Sequence, residues 1–297
     1  MRLAFRLGDR RPGMNQAITD QDLRQAEWLL LTAGTCLAIA LLASWMRRRN
    51  GPLGIAPRPQ SQLPPEAVLV CMVAYLLVGA AAQWGAERLV KPRLSEVAGA
   101  TAERMIPSTL GAIAGATACL WYGVTAFAGG RRGYGLSSAR WAPEVAAGLA
   151  GWLVSLPVCA GLLVLCEWVI RWFRPAEKLP THPALDVLQS AEMPAWLRAV
   201  AVVGPIVIAP VAEELFFRGI VQSYLRQYLR SRRRAMVLGA AFFGMAHYTQ
   251  PQVVLPMVAL GLILGYLYER KGSLVAPLAC HVAFNLRTIV WQLLLLQ

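Results

Sequence analysis

Eight apolar stretches, each close to 20 residues long, constrain this chain more than any other feature of its sequence. About 20 consecutive apolar residues are needed for a helix to cross the hydrocarbon core of a bilayer. Because lipid offers no partner to backbone polar groups, such segments are helices. The predicted spans are residues 27–46, 66–86, 106–129, 145–170, 196–217, 233–249, 252–268 and 274–295. The sequence therefore predicts an all-α, polytopic transmembrane bundle of about eight spanning helices.

The composition agrees with a surface that lipid covers. Only 15% of the residues are charged and the mean hydropathy is +0.47, whereas about a quarter of a soluble domain is charged. The net charge of +13 comes from arginines clustered between the apolar stretches, a pattern typical of loops that face anionic lipid headgroups. The expected partners are therefore membrane lipids, with no nucleic acid. We expect an integral membrane protein, located in the bacterial inner (plasma) membrane.

The chain divides into a basic tail (residues 1–26), four membrane helices (27–172), and a loop followed by four more helices (173–297). The six cysteines all lie inside apolar runs without a CxxC pair, as expected of small buried side chains. The basic loops after the fifth and seventh helices favour the cytoplasm under the positive-inside rule. The first half carries basic residues on both sides, so the orientation stays open.

Ionisable residues inside membrane spans are costly and therefore indicate function. Three clusters of them occur in the last hundred residues, namely Glu213-Glu214-Leu-Phe-Phe-Arg218, Phe243-Gly-Met-Ala-His247 and His281-Val-Ala-Phe-Asn285. Residues four apart share a helix face, so Glu214 can pair with Arg218 and Phe243 can pack against His247. Pro210 marks a helix start or a kink just before the first cluster.

These residue types suit the hydrolysis of a peptide bond. A carboxylate in an apolar site can act as a general base toward water, and a histidine opposite can hold that water or carry its proton. His281 and Asn285 point the same way along their helix and can donate hydrogen bonds to an oxyanion. The chain contains no GxSxG motif, no Ser-His-Asp arrangement and no GxGD-like pair of aspartates.

The motifs EExxxR, FxxxH and HxxxN, in this order and each on its own membrane helix, resemble those of the CAAX prenyl endopeptidase family, also called the CPBP or ABI family. The resemblance covers roughly residues 196–295. It implies an enzyme, an intramembrane endopeptidase that hydrolyses peptide bonds of membrane-anchored or lipidated protein substrates. Glu213 and Glu214 would then be the paired glutamates, with Glu213 activating water.

The same resemblance implies roles for the remaining motif residues. Arg218 would be structural and charge-balancing, and Phe243 would be structural. His247 would position the water, and His281 and Asn285 would stabilise the oxyanion.

The residues leave two questions open, one on cofactors and one on function. Glu213, His247 and His281 would also make a zinc site of the metalloprotease type. Because there is no HExxH motif and Asn285 suits an oxyanion better than a metal shell, we favour a mechanism without a cofactor. The alternative functions are a non-catalytic membrane scaffold or immunity factor on the same fold and a proton-coupled transporter.

Overall fold

The computed structural model describes residues 20–47, 62–136, 141–176, 179 and 193–295. Within these ranges, eight long helices coincide with the eight apolar stretches, and one short helix lies between the third and the fourth. They are α1 (Asp20–Arg47), α2 (Glu66–Gly85), α3 (Glu96–Thr125), α4 (Arg131–Tyr134), α5 (Trp141–Phe173), α6 (Ala195–Leu229), α7 (Arg232–Met245), α8 (Pro251–Lys271) and α9 (Val275–Leu295). The predicted all-α bundle is confirmed.

The helices differ in their capacity to cross a membrane. Four are long and apolar enough, namely α5, α6, α8 and α2 with its extension to Arg93. Shorter apolar helical segments lie at Gln25–Ala40 and Val275–Trp291. Helix α7 has 14 residues and is therefore only about 21 Å long. The chain is thus a membrane helix bundle, while the count of about eight full spans stays a prediction.

Two helices extend well beyond the apolar runs that predicted them. Helix α3 begins ten residues earlier than position 106, at Glu96, where the Ser95 side chain accepts a hydrogen bond from the Ala98 N–H. Helix α6 continues from the predicted end at 217 to Leu229, and its last segment is SYLRQYL. An apolar run therefore marks the lipid-facing part of a helix and not its ends. The predicted loop 174–197 and tail 1–26 lie largely outside the described residues.

Helix α6 contains two π-helical turns, Gly204–Ile208 and Glu214–Gln222. Proline has no N–H to donate to the helix, yet the helix runs through both Pro205 and Pro210. The first π turn, which is wider than an α turn, contains Pro205 and ends two residues before Pro210. The predicted start or kink at Pro210 is thus a continuous helix with a π turn immediately before it.

One end of the bundle collects loops from both halves of the chain, and we call it the basic end. The Leu274 N–H donates to the Gly135 carbonyl at 2.9 Å, and the Leu63 N–H donates to Gln227 Oε1 at 3.1 Å. The basic residues there are Arg131, Arg132, Arg226, Arg230, Arg232, Arg233, Arg234, Arg270 and Lys271. Arg131 and Arg132 of the first half therefore lie at the same end as the two basic loops of the second half.

An ion pair joins the first and last helices. Arg287 Nη2 on α9 lies 2.7 Å from Glu27 Oε1 on α1, and its guanidinium stands over the Trp291 ring at 4.8 Å. A charge within an apolar helix is thereby neutralised by a residue 260 positions away in the sequence.

Candidate active site

The paired glutamates at the junction with the second π turn of α6 have different surroundings. Glu214 is 2% exposed, and its Oε1 lies 3.1 Å from Arg218 Nη1 and 2.8 Å from His281 Nδ1. Glu213 is 29% exposed, and its Oε2 lies 3.6 Å from His281 Nε2. Glu214 is therefore fixed by two partners, whereas Glu213 has a carboxylate that solvent reaches.

The ion pair of Glu214 and Arg218 is the one that their spacing predicts. Arg218 is also 2% exposed, and its Nη2 donates to the Gly261 carbonyl of α8 at 3.4 Å. Because a buried charge is costly unless it is paired, this arginine ties α6 to α8 at the level of the glutamates. Glu214 Oε2 is buried without a hydrogen-bond partner.

His281 of α9 stands between the two glutamates. Glu214 is paired with Arg218 and so is an ionised acceptor, which means that His281 Nδ1 carries a proton and donates it. The other nitrogen, Nε2, faces Glu213. In a neutral ring this Nε2 is an acceptor, and it becomes a donor when both nitrogens carry protons.

The ring of Phe243 on α7 contacts three of the motif residues. The Arg218 guanidinium lies over it, 4.4 Å from the ring centroid. The rings of His247 and His281 meet it edge to face, with centroids 5.1 and 5.6 Å away. The predicted contact of Phe243 with His247 is present, and the same completely buried ring also packs against Arg218 and His281.

His247 lies in the turn after α7 and is partly buried. Its Nδ1 lies 2.9 Å from the Phe243 carbonyl oxygen. A carbonyl only accepts, so Nδ1 carries the proton and a neutral ring keeps the lone pair on Nε2. The backbone of α7 thus fixes one tautomer of His247.

Asn285 lies one turn beyond His281 on α9. Its Nδ2 donates to the Pro205 carbonyl at 2.7 Å, which joins α9 to the first π turn of α6. A carbonyl only accepts hydrogen bonds, so the nitrogen of the Asn285 amide, and not its oxygen, faces Pro205. The second N–H of Nδ2 is left for another acceptor.

The residues that we considered as a metal site are Glu213, His247 and His281. Among the described residues, no group of three or more His, Cys, Asp or Glu side chains could hold a metal ion. The two nitrogens of His281 both face carboxylates, and His247 is bonded to the backbone through Nδ1. The mechanism without a cofactor stays a prediction, and we derive no step through a metal.

One contact of the site came from a residue that sequence reasoning missed. The Tyr134 hydroxyl, on α4, donates to the Leu215 carbonyl at 2.7 Å. Leu215 directly follows Glu214, yet Tyr134 lies in the basic, glycine-rich loop GGRRGYG. No helical periodicity or motif marks such a residue, because its partner is a backbone atom 81 positions away.

Comparison with known proteins bears on the half of the chain that contains the three motifs. A family model described as Type II CAAX prenyl endopeptidase Rce1-like matches residues 194–287. No curated protein matches the chain, and no solved structure matches it either. The matched range holds all of the motif residues, from Glu213 to Asn285, in agreement with the resemblance that their spacing carries. Residues 194–287 thus form a domain of the Rce1-like type II CAAX prenyl endopeptidase family.

Proposed function

We propose that this protein is an intramembrane endopeptidase in which Glu213 activates a water molecule for attack on a peptide bond. The observation that carries the proposal is the contrast between the two glutamates. Glu214 is 2% exposed and held by Arg218, whereas Glu213 is 29% exposed with 3.6 Å between its Oε2 and His281 Nε2. At 3.6 Å these two atoms are too far apart for a direct hydrogen bond, and both can contact one water molecule that lies beside them.

The two histidines and Asn285 complete the reaction centre. The Nε2 lone pair of His247 is available to hold the attacking water or to carry its proton. The free N–H of Asn285, and His281 Nε2 when the ring is protonated, can donate to the oxyanion. Arg218 and Phe243 are structural, since they contact the reacting groups from the buried side.

The reaction balances with these groups alone. Glu213 takes a proton from water while the water oxygen bonds to the carbonyl carbon, and the negative charge that develops on the carbonyl oxygen is stabilised by Asn285 and His281. The C–N bond then breaks as the proton passes to the leaving nitrogen. The products are a free carboxylate and a free amine, and no cofactor is consumed.

The substrates follow from the family and from the site's position in a membrane bundle. We propose a membrane-anchored or lipidated peptide, such as a prenylated C-terminal tail, a leader peptide or a membrane-bound regulatory protein. We propose that the protein lies in the bacterial inner membrane with the basic end in the cytoplasm, the side that the positive-inside rule favours for the loops of the second half.

The test is a cleavage assay on protein purified in detergent. Wild type, Glu213→Gln and His247→Ala would be compared on a panel of farnesylated CAAX-tailed peptides and membrane-anchored peptides, with and without a strong chelator. Loss of a general base costs about 10²- to 10⁴-fold in rate, so Glu213→Gln should reduce cleavage to near background. Glu87→Gln on the π extension of α2, which bonds Gln83 on the surface, is the matched control and should cleave like wild type.

The outcomes separate the alternatives. Cleavage that survives Glu213→Gln would show that the base is misassigned. A chelator-sensitive activity restored by zinc would overturn the metal-free mechanism. A folded wild type that cleaves none of the peptides would favour the non-catalytic scaffold or immunity factor.

A further inference from the structure

Tyr134 lies outside the matched domain, yet it contacts the backbone of that domain. Tyr134 lies on the short helix α4 between α3 and α5, and it is completely buried. Its hydroxyl donates to the Leu215 carbonyl at 2.7 Å. A carbonyl oxygen has two lone pairs, so Leu215 can accept this bond in addition to a bond within its own helix.

The phenol ring of Tyr134 is fitted between two glycines. A Cβ on Gly219 of α6 would overlap the Tyr134 hydroxyl and ring edge, and a Cβ on Gly123 of α3 would overlap the other side of the ring. Leu215 and Gly219 are four apart and share one face of α6, so the ring lies against the face next to that of Glu214 and Arg218. Only glycine at these two positions leaves room for the tyrosine.

The backbone of Tyr134 is held as well. The Tyr268 hydroxyl on α8 donates to the Tyr134 carbonyl at 3.4 Å and lies 3.3 Å from Ser223 Oγ. Ser223 Oγ in turn donates to the Arg218 carbonyl at 3.2 Å. Each of the two hydroxyls donates its one proton to a carbonyl, and their contact places Tyr268 of α8 between α4 and the second π turn of α6.

A π turn is where a helix has the least regular hydrogen bonding, and such turns occur frequently at functional sites. Glu214 begins the π turn Glu214–Gln222 and Leu215 is its second residue. Burial raises the pKa of the Tyr134 phenol well above its usual range, so the hydroxyl remains a donor at all physiological pH values. The contact therefore constrains the backbone beside the paired glutamates permanently.

We propose that Tyr134 is a positioning residue that holds the π turn of α6 in the geometry that Glu213 and Glu214 need for hydrolysis. This inference rests on the proposed function, and it assigns to the unmatched half of the chain an indirect part in the reaction, through the position of the paired glutamates. A helix supplied by the first half would then be needed for the motif residues of the second half to act.

The test uses Tyr134→Phe, which removes the hydroxyl and keeps the ring. Loss of one neutral hydrogen bond is equivalent to about tenfold in a rate when it acts on the transition state. We expect kcat to fall about tenfold with KM unchanged. Tyr228→Phe, on the exposed part of α6, is the matched control and should leave kcat at the wild-type value.

A second measurement reports on the contact without any substrate. Hydrogen exchange of the backbone amides of residues 213–223, followed by mass spectrometry, should be about fivefold faster in Tyr134→Phe than in the control. If Tyr134→Phe does not fold, Gly219→Ala serves as a second variant, since its methyl group displaces the phenol. Gly239→Ala, whose Cβ would be 3.6 Å from the nearest side-chain atom, is the control for that variant.

The results separate this inference from the proposed function. A lower kcat at constant KM together with faster exchange supports the positioning role. An unchanged kcat overturns it even if the protein is less stable, and so does unchanged exchange. If wild type cleaves no peptide, the proposed function fails, and the exchange measurement alone decides whether Tyr134 holds the π turn.

Discussion

The two halves of this molecule use a membrane in opposite ways. In the first half, only 11% of the most apolar 18-residue segment of α2 is buried inside the protein. In the second half, the corresponding share for α8 is 44%. Among the described residues, the buried polar or charged side chains of the first half are Glu144 and Ser155, whereas eight lie in residues 193–295. The first half turns apolar side chains to lipid, and the second half encloses a polar interior.

This difference explains why the sequence of the second half contains motifs that predict a function, whereas the sequence of the first half does not. A lipid-facing surface accepts almost any apolar side chain, so it leaves no motif. An enclosed polar group needs a particular partner at a particular distance, because an unpaired one is costly. Residue identities are therefore constrained in the second half, and the family match falls there. The variants below test this contrast, from the largest expected effect to the smallest.

Arg218→Met should destabilise the protein most. It leaves the buried Glu214 carboxylate without the guanidinium that now lies 3.1 Å away, and breaking a buried pair costs about 3–5 kcal/mol. Denaturant unfolding in detergent, followed by circular dichroism, measures the loss. The double variant Arg218→Met with Glu214→Leu removes both charges and should be more stable than the single variant. A single variant as stable as wild type would contradict an enclosed polar interior.

Asn285→Ala should reduce catalysis with a smaller effect on stability. Loss of one oxyanion donor costs about 10²- to 10³-fold in kcat, and the hydrogen bond to the Pro205 carbonyl is lost with it. Thr288→Ala is the matched control on the same helix, because the Thr288 hydroxyl bonds only the Phe284 carbonyl of its own helix. Equal losses in the two variants would remove Asn285 from the reaction. Both are measured as kcat on a cleaved peptide.

Gly34→Ala should reduce stability without affecting the reaction. A Cβ at this position of α1 would fall on the Leu153 carbonyl oxygen of α5, and overpacking of this kind costs about 1–3 kcal/mol. The thermal unfolding temperature should fall while kcat stays at the wild-type value. Gly161→Ala on α5, where a Cβ would meet nothing within 4 Å, is the control. A loss of kcat would show that α1 contributes to catalysis.

Glu27→Gln should have the smallest effect. It weakens the ion pair between Glu27 and Arg287. The Glu27 side chain is 41% exposed and the Arg287 side chain is 24% exposed, and pairs with this much exposure contribute about 1 kcal/mol or less. We expect a shift in unfolding temperature smaller than that of Gly34→Ala and an unchanged kcat. A loss comparable to that of Arg218→Met would mean that lipid makes this pair as important as a buried one.

Much of the fold was predictable because it depends on local rules. The apolar runs located all eight long helices, and a spacing of four residues predicted the contacts of Glu214 with Arg218 and of Phe243 with His247. The helix ends were not predictable, since SYLRQYL continues α6 although polar residues interrupt its apolar ones. Local rules therefore gave helices and their faces but not their lengths.

Contacts between distant segments could not be predicted. His281 reaches Glu214 with one ring nitrogen and faces Glu213 with the other, and spacing within a helix says nothing about such an arrangement. The partner of Arg287 lies 260 residues away. Tyr134 acts on a backbone atom, and backbone atoms carry no sequence signal. These three cases depend on the packing of whole helices against one another.

If the proposed endopeptidase activity is correct, the shortness of α7 determines where the protein can cut. The helix starts at the basic end with Arg232 and, after 14 residues, brings His247 about 21 Å away. The hydrocarbon core of a bilayer is about 30 Å thick, so a helix of this length stops before it reaches the opposite surface. The length of α7 therefore sets the distance of His247 from the membrane face at which the helix begins. The bond that a substrate presents must lie at a fixed depth from that face, and its position along the substrate, more than the residues around it, decides whether it can be reached.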